Sequence, residues 1–219
     1  MAADTKGTAH ETLEERLLHR LLFFTDAVFA IVLTLMVLDL HPPPFASPLG
    51  DAHAMRGMAS RLFALALSFA VIAIFWLAHL NSTRRLLRFD WPTAFVNLLF
   101  LFPICLLPFA TAWYGQSFQA PFPWGMYCAT LVVISTLNVA LVLVVSRGGG
   151  RLIGGASGRE VLYRAARAAS PGLAFAAGLG LLFAHQLYIS EFCWVLIGPI
   201  SLAVERTLKP RGEPQAQAA

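Results

Sequence analysis

The sequence predicts an all-α membrane protein with six transmembrane helices, and three observations carry that prediction. The 219-residue chain is 58% hydrophobic and only 13% charged, against about 25% charged residues in a soluble domain. Its mean hydropathy is +0.67. Six runs are, or nearly are, long and apolar enough for a bilayer span of about 20 residues: 20–40, 59–82, 92–114, 124–146, 169–187 and 189–205. The third observation is the placement of positive charge.

Fourteen of the sixteen basic residues fall on one side of that map. Lys6, Arg16 and Arg20 precede or open the first run, and Arg84, Arg85 and Arg88 lie between the second and third. Arg147, Arg151, Arg159, Arg164 and Arg167 lie between the fourth and fifth, and Arg206, Lys209 and Arg211 follow the sixth. Arg56 and Arg61 are the exceptions, and the loops at 115–123 and 188 carry none. Basic residues collect on the cytoplasmic face, so both termini are expected inside. Five spans would break this alternation, which favours reading 169–187 and 189–205 as a tight hairpin rather than one broken helix. The net charge of +4 is therefore topology and predicts no nucleic-acid partner. The first run is too long and acidic for a signal peptide, and the chain reads as uncleaved.

The first run, RLLFFTDAVFAIVLTLMVLDL, holds Asp26 inside it and Asp39 near its end. A carboxylate within an apolar helix is costly and needs a partner; Arg20 and His79 are the partners the sequence offers. At 100° per residue, Ile31, Thr34, Leu35 and Leu38 share one face, which Ala27 and Phe24 extend. Thr25 and Asp26 lie about 120° and 140° from Ile31. From spacing alone that stripe reads first as a packing seam between helices. Asp26, likewise, reads as an architectural hydrogen-bond or ion-pair hub.

HPPPFASPLGD (41–51) predicts a stiff external loop of extended backbone. The second run ends in FWLAHLNSTRR, with Trp76 and His79 one turn apart near the cytoplasmic surface. A histidine there reads first as a hydrogen-bonded structural residue. Asp90 just before Pro92 suits a helix start, Asn97 needs a partner inside the bundle, and Pro103 and Pro108 should bend the outer half of the third helix. RGGGRLIGGASG (147–158) reads as a flexible linker, and REVLYRAARAAS (159–170) as a segment at the membrane surface. The tail EPQAQAA reads as disordered. No internal repeat divides the chain.

Cys105, Cys128 and Cys193 sit in apolar runs without CxxC or Cys/His spacing, so buried free thiols are expected, with no disulfide or metal site. GxSxG, HExxH, Walker and dinucleotide-binding signatures are absent. His79 and His185 fall at opposite ends of the bilayer in this topology. The chain is not expected to be an enzyme, to have catalytic residues, or to need a cofactor.

Arg20, Phe24, Thr25 and Asp26 stand in RLLFFTD at the spacing of an RxxxFSD motif. Trp76 and His79 follow, then Asp90 with Asn97 seven residues on, then Pro108-Phe109 with Thr111. Together, over roughly residues 16–115, these resemble the transmembrane protein 175 family, the lysosomal potassium channel and its single-repeat prokaryotic relatives. Thr25 departs from the usual Ser, keeping the hydroxyl and adding a methyl. The resemblance implies a homotetramer of six-helix subunits around a central pore lined by the first helix, without the TVGYG filter that this chain also lacks. It assigns Ile31, Leu35 and Leu38 to a hydrophobic constriction and Thr34 to a hydroxyl layer favouring potassium. Arg20, Phe24, Thr25, Asp26, His79, Asp90 and Asn97 would anchor the pore helix to the second and third helices.

The implied protein is a leak-type, potassium-preferring cation channel, multi-pass in the cell membrane, whose partners are potassium ions, lipid and further copies of itself. Residues 16–207 would form the channel domain between cytoplasmic tails at 1–15 and 208–219. Two other classes stay open: a small proton- or cation-coupled secondary transporter with its site at Asp26, and a structural membrane scaffold.

Overall fold

The computed structural model describes residues 13–38, 40–41 and 52–210. Residues 42–51 of the expected extended loop at 41–51, Asp39 and both tail ends lie outside the described residues. Among the described residues the six helices longer than one turn are, in order, α1 (Leu13–Leu38), α2 (Ala52–Thr83), α3 (Trp91–Gln116), α4 (Pro121–Val145), α5 (Gly158–Phe183) and α6 (Ile197–Leu208). Helix is the only regular secondary structure among the described residues. The first five helices are long and apolar enough to cross a bilayer, and the chain is a membrane protein.

The helix starts obey local chemistry. Asp90 caps α3 by accepting from the Thr93 backbone N–H and hydroxyl at 3.0 and 2.9 Å, with Pro92 in the first turn, as Asp-x-Pro predicts. The α3–α4 turn closes through Gln119 in a left-handed conformation, and Pro121 opens α4. Helix α3 continues through Pro103 and Pro108 without interruption. Helix α4 is the centre of the subunit, packed between α3 and α5. Its Trp124, Tyr127, Cys128, Leu131, Ile134 and Leu141 are wholly buried.

The second half departs from the sequence expectation in three places. The supposed surface segment 159–170 and the fifth span are one helix, α5, begun by Ser157, whose hydroxyl accepts from the Glu160 N–H. Pro171 lies within it, and the Ser135 hydroxyl of α4 enters the next rung, accepting from the Gly172 N–H and donating to the Ala168 carbonyl. Only glycine fits there, because a Cβ at position 172 would stand 2.4 Å from the Ser135 side chain. Pro171 offers no N–H to the helix ladder, and the Ser135 hydroxyl adds two bonds to the same turn.

The sixth run, 189–205, is not one continuous helix. A short turn at Leu187–Ser190, a 3-10 turn at Cys193–Leu196 and α6 return along α5. Two causes are visible. Pro199 costs a helix least in its first turn, where its missing N–H is not needed, and α6 begins two residues before it. Ser190 and Glu191 are buried and fold inward to partners: Trp124 Nε1 donates to Ser190 Oγ at 2.6 Å, Ser190 donates to the Gly178 carbonyl, and Tyr114 donates to Glu191 at 3.4 Å.

The third departure is the glycine-rich stretch, which folds as a hydrogen-bonded loop instead of a flexible linker. Gly155 and Ala156 donate to the carbonyls of Gly150 and Gly149, and Leu87 donates to that of Leu152. Gly150 has φ +77°, and a Cβ there would meet the Ala156 nitrogen at 2.6 Å. Ile153 seals the loop by packing with Leu18, Leu86, Leu141 and Val145. Cys128 and Cys193 are buried free thiols as expected, but Cys105 is exposed on the outer surface of α3.

Candidate pore-lining face and its anchor

Helix α1 packs only one side against its own subunit, on α3 and α2. Leu18, Thr25, Phe29, Val32 and Met36 are buried, and they recur at the spacing of one helical stripe. Opposite them the predicted stripe is uncovered. Ile31, Leu35 and Leu38 are 55, 44 and 70% exposed, whereas Phe29, Val32 and Met36 are 2–3% exposed. A packing seam within the subunit would have covered Ile31. Within this stripe the Thr34 hydroxyl donates back to the carbonyls of Ile31 and Ala30 at 2.8 and 3.1 Å. Its proton is committed to the helix, so the oxygen lone pairs remain for an external partner.

Behind α1 a buried polar chain ties three helices together. Asn97 of α3 donates through Nδ2 to Thr25 Oγ1 at 2.8 Å, and Thr25 donates to the Leu21 carbonyl. The amide oxygen of Asn97 meets His79 Nε2 of α2 at 2.8 Å. His79 stacks on Phe100 with ring centroids 5.3 Å apart, and Phe29 of α1 packs against both rings. Thr25, His79 and Asn97 are all buried, so each polar group needs the others.

Asp26 belongs beside this chain but not in it. It is exposed on the subunit and accepts from the indole Nε1 of Trp76 at 2.9 Å. The indole, rather than Arg20 or His79, is the partner that holds it. Arg20 and Phe24 are exposed on the uncovered side of α1, away from the anchor. Asp90 is separate as well: it caps α3 and receives both 2.6 Å bonds of Arg147, at the end of α4. Of the seven anchor residues read from sequence, the structure thus gathers Thr25, Asp26, His79 and Asn97, adding Trp76. Trp76 had a signal, one turn before His79 on the same face. Arg147 had none, lying 57 residues from Asp90.

Among the described residues no group of three or more His, Cys, Asp or Glu side chains is placed to hold a metal ion. What the arrangement offers is an apolar stripe with one hydroxyl layer, backed by a rigid polar anchor.

A family model described as the endosomal/lysosomal potassium channel TMEM175 matches residues 20–108. That interval contains both the stripe and the anchor. A potassium channel of Streptomyces collinus is 37% identical over 89 residues, which is 41% of this chain and 43% of that protein. A potassium channel of Chryseobacterium sp. is 30% identical over 131 residues, 60% of this chain and 66% of that one. The chain therefore aligns with about two fifths to two thirds of the length of these relatives. A crystal structure described as a lysosomal potassium-selective channel TMEM175 homolog from Chamaesiphon minutus superposes with a TM-score of 0.72. It covers 86% of this chain and 98% of that one at 22% identity, which establishes a shared fold.

Proposed function

Because the chain belongs to the TMEM175 family, we propose that it is a potassium-preferring cation channel, a homotetramer whose pore is lined by the uncovered face of α1. One observation carries this reading: the stripe of Ile31, Thr34, Leu35 and Leu38 has no cover in its own subunit, while the opposite stripe is fully packed. Lipid is a poor alternative cover for α1. Asp26 is exposed on the same helix, and ionisable residues at membrane depth face protein or a water-filled path rather than acyl chains. Neighbouring subunits and a central pore supply both.

In this reading Ile31, Leu35 and Leu38 form successive apolar rings that close the path by dewetting. Four Thr34 oxygens, each with its proton already donated to its own helix, offer lone pairs to a partly dehydrated cation. Thr25, His79 and Asn97, with Asp26 and Trp76, hold α1 at fixed rotation against α2 and α3. The return limb after α5 completes a six-segment subunit, with residues 16–207 as one membrane domain between cytoplasmic tails in the cell membrane. Helix α6 spans about 18 Å alone, so this limb crosses only with its two preceding turns.

Reconstitution into planar bilayers, with potassium on one side and sodium on the other, tests the proposal. Unitary currents that reverse toward the potassium equilibrium potential are expected. Saturating, coupled flux without unitary events would instead support a transporter, and no flux would leave a scaffold.

A further inference from the structure

We propose that a cleft between α2, α5 and α6 at the arginine-rich end of the subunit binds a phosphate ester carrying about two negative charges. The cleft measures about 380 Å³, in the size range of small-ligand sites. Five cations line it, Arg84, Arg85, Arg164, Arg167 and Lys209, against the two carboxylates Glu160 and Glu205.

The carboxylates are already engaged. Glu160 pairs with Arg85 at 2.6 Å, and Glu205 is shared by Lys209 at 3.1 Å and Arg167 at 4.0 Å. Among the described residues lining the cleft, that leaves a surplus of positive over negative side chains. The Arg84 side chain is exposed and has no hydrogen bond or ion pair among the described residues. Arg164 donates through Nη2 to the Ser82 and Asn81 carbonyls at 2.8 and 3.3 Å, while its Nη1 is buried without a partner among the described residues. The same guanidinium covers the last carbonyls of α2, so an entering anion meets N–H groups rather than carbonyl oxygens.

Topology explains why basic residues sit at this end of the molecule. It does not explain why they converge on a hollow or why a buried guanidinium nitrogen is left unsatisfied. A phosphate group answers both, since its oxygens accept several charge-assisted bonds and match the guanidinium fork. Ala78 and Ala168 add an apolar wall to the cleft, which suits the glycerol backbone attached to such a phosphate. Its source is either a lipid headgroup in the adjoining leaflet or a soluble phosphate ester.

The test uses full-length protein in phosphatidylcholine nanodiscs doped with phosphatidic acid, with retained lipid counted by mass spectrometry after extraction into detergent. Arg84→Gln/Arg167→Gln should lower retention by more than about tenfold, given roughly a kilocalorie per basic residue near the surface. Arg84→Gln alone, which breaks no internal bond, should act in the same direction. The control Arg88→Gln/Arg151→Gln removes equal charge from a separate hollow and should change retention by less than about twofold. Displacement by micromolar glycerol 3-phosphate would identify a soluble phosphate ester as the occupant; resistance to millimolar amounts would identify the lipid. Equal losses in both double variants, or a loss in neither, would overturn the site.

Discussion

At the scale of single residues, Asn97 joins the anchor, because its one amide contacts both Thr25 and His79. Asn97→Leu keeps the size, removes the donor to Thr25, whose hydroxyl keeps its bond to the Leu21 carbonyl, and strands the buried His79 Nε2, at a cost of about 1–3 kcal/mol. A clear fall in melting temperature in detergent is the expected outcome, and an unchanged value would show the chain to be incidental. Asp26 and Trp76 can be separated. Trp76→Phe removes the only donor in their bond, whereas Asp26→Asn keeps an acceptor oxygen for it. Trp76→Phe should therefore weaken assembly more, and neither should shift the reversal potential. A large shift in assembled Asp26→Asn channels would put Asp26 in the ion path. Thr34→Ala should lower potassium-over-sodium preference without affecting assembly, since its hydroxyl bonds only its own helix. Bi-ionic reversal potentials measure that directly.

At the scale of elements, α1 and α5 show what makes a helix legible in sequence. The stripe on α1 was readable because it needs only helical periodicity. Its extension back at least to Leu13, seven residues before the apolar run, was not, because hydropathy marks the bilayer and not the helix end. Asp90 announced the start of α3 through a local cap. The need of Asn97 for a partner was likewise visible, but its identity required the tertiary fold. Asp26 and Trp76 are 50 residues apart, and only packing brings them together. In α5 the apolar run hid an amphipathic beginning capped by Ser157, and the sixth run hid a break before Pro199. The α4–α5 seam makes its own prediction. Gly172→Ala forces a methyl into the Ser135 side chain, disturbing both bonds through that hydroxyl, and should cost about 1–3 kcal/mol. Thermal unfolding of the purified assembly checks it; a neutral effect would mean that the seam yields.

At the scale of the whole molecule, charge placement and packing combine into one arrangement. The arginine-rich loops share one end, where Arg85 meets Glu160, Arg147 meets Asp90 and Arg164 covers the end of α2. Reporter fusions at residue 120 should read external and those at 155 cytoplasmic; the reverse, or both on one side, would contradict the proposed orientation. In the proposed tetramer, four subunits set around the uncovered face of α1 would give Ile31 the narrowest ring, which would exclude water from the closed path. Ile31→Asn would place four amides there and admit water. The decisive measurement is current per assembled tetramer, taken with the reversal potential under a potassium–sodium gradient. A pore-lining Ile31 predicts more leak and weaker potassium preference in the variant. Reduced yield, with current per tetramer and reversal potential unchanged, would contradict the pore assignment.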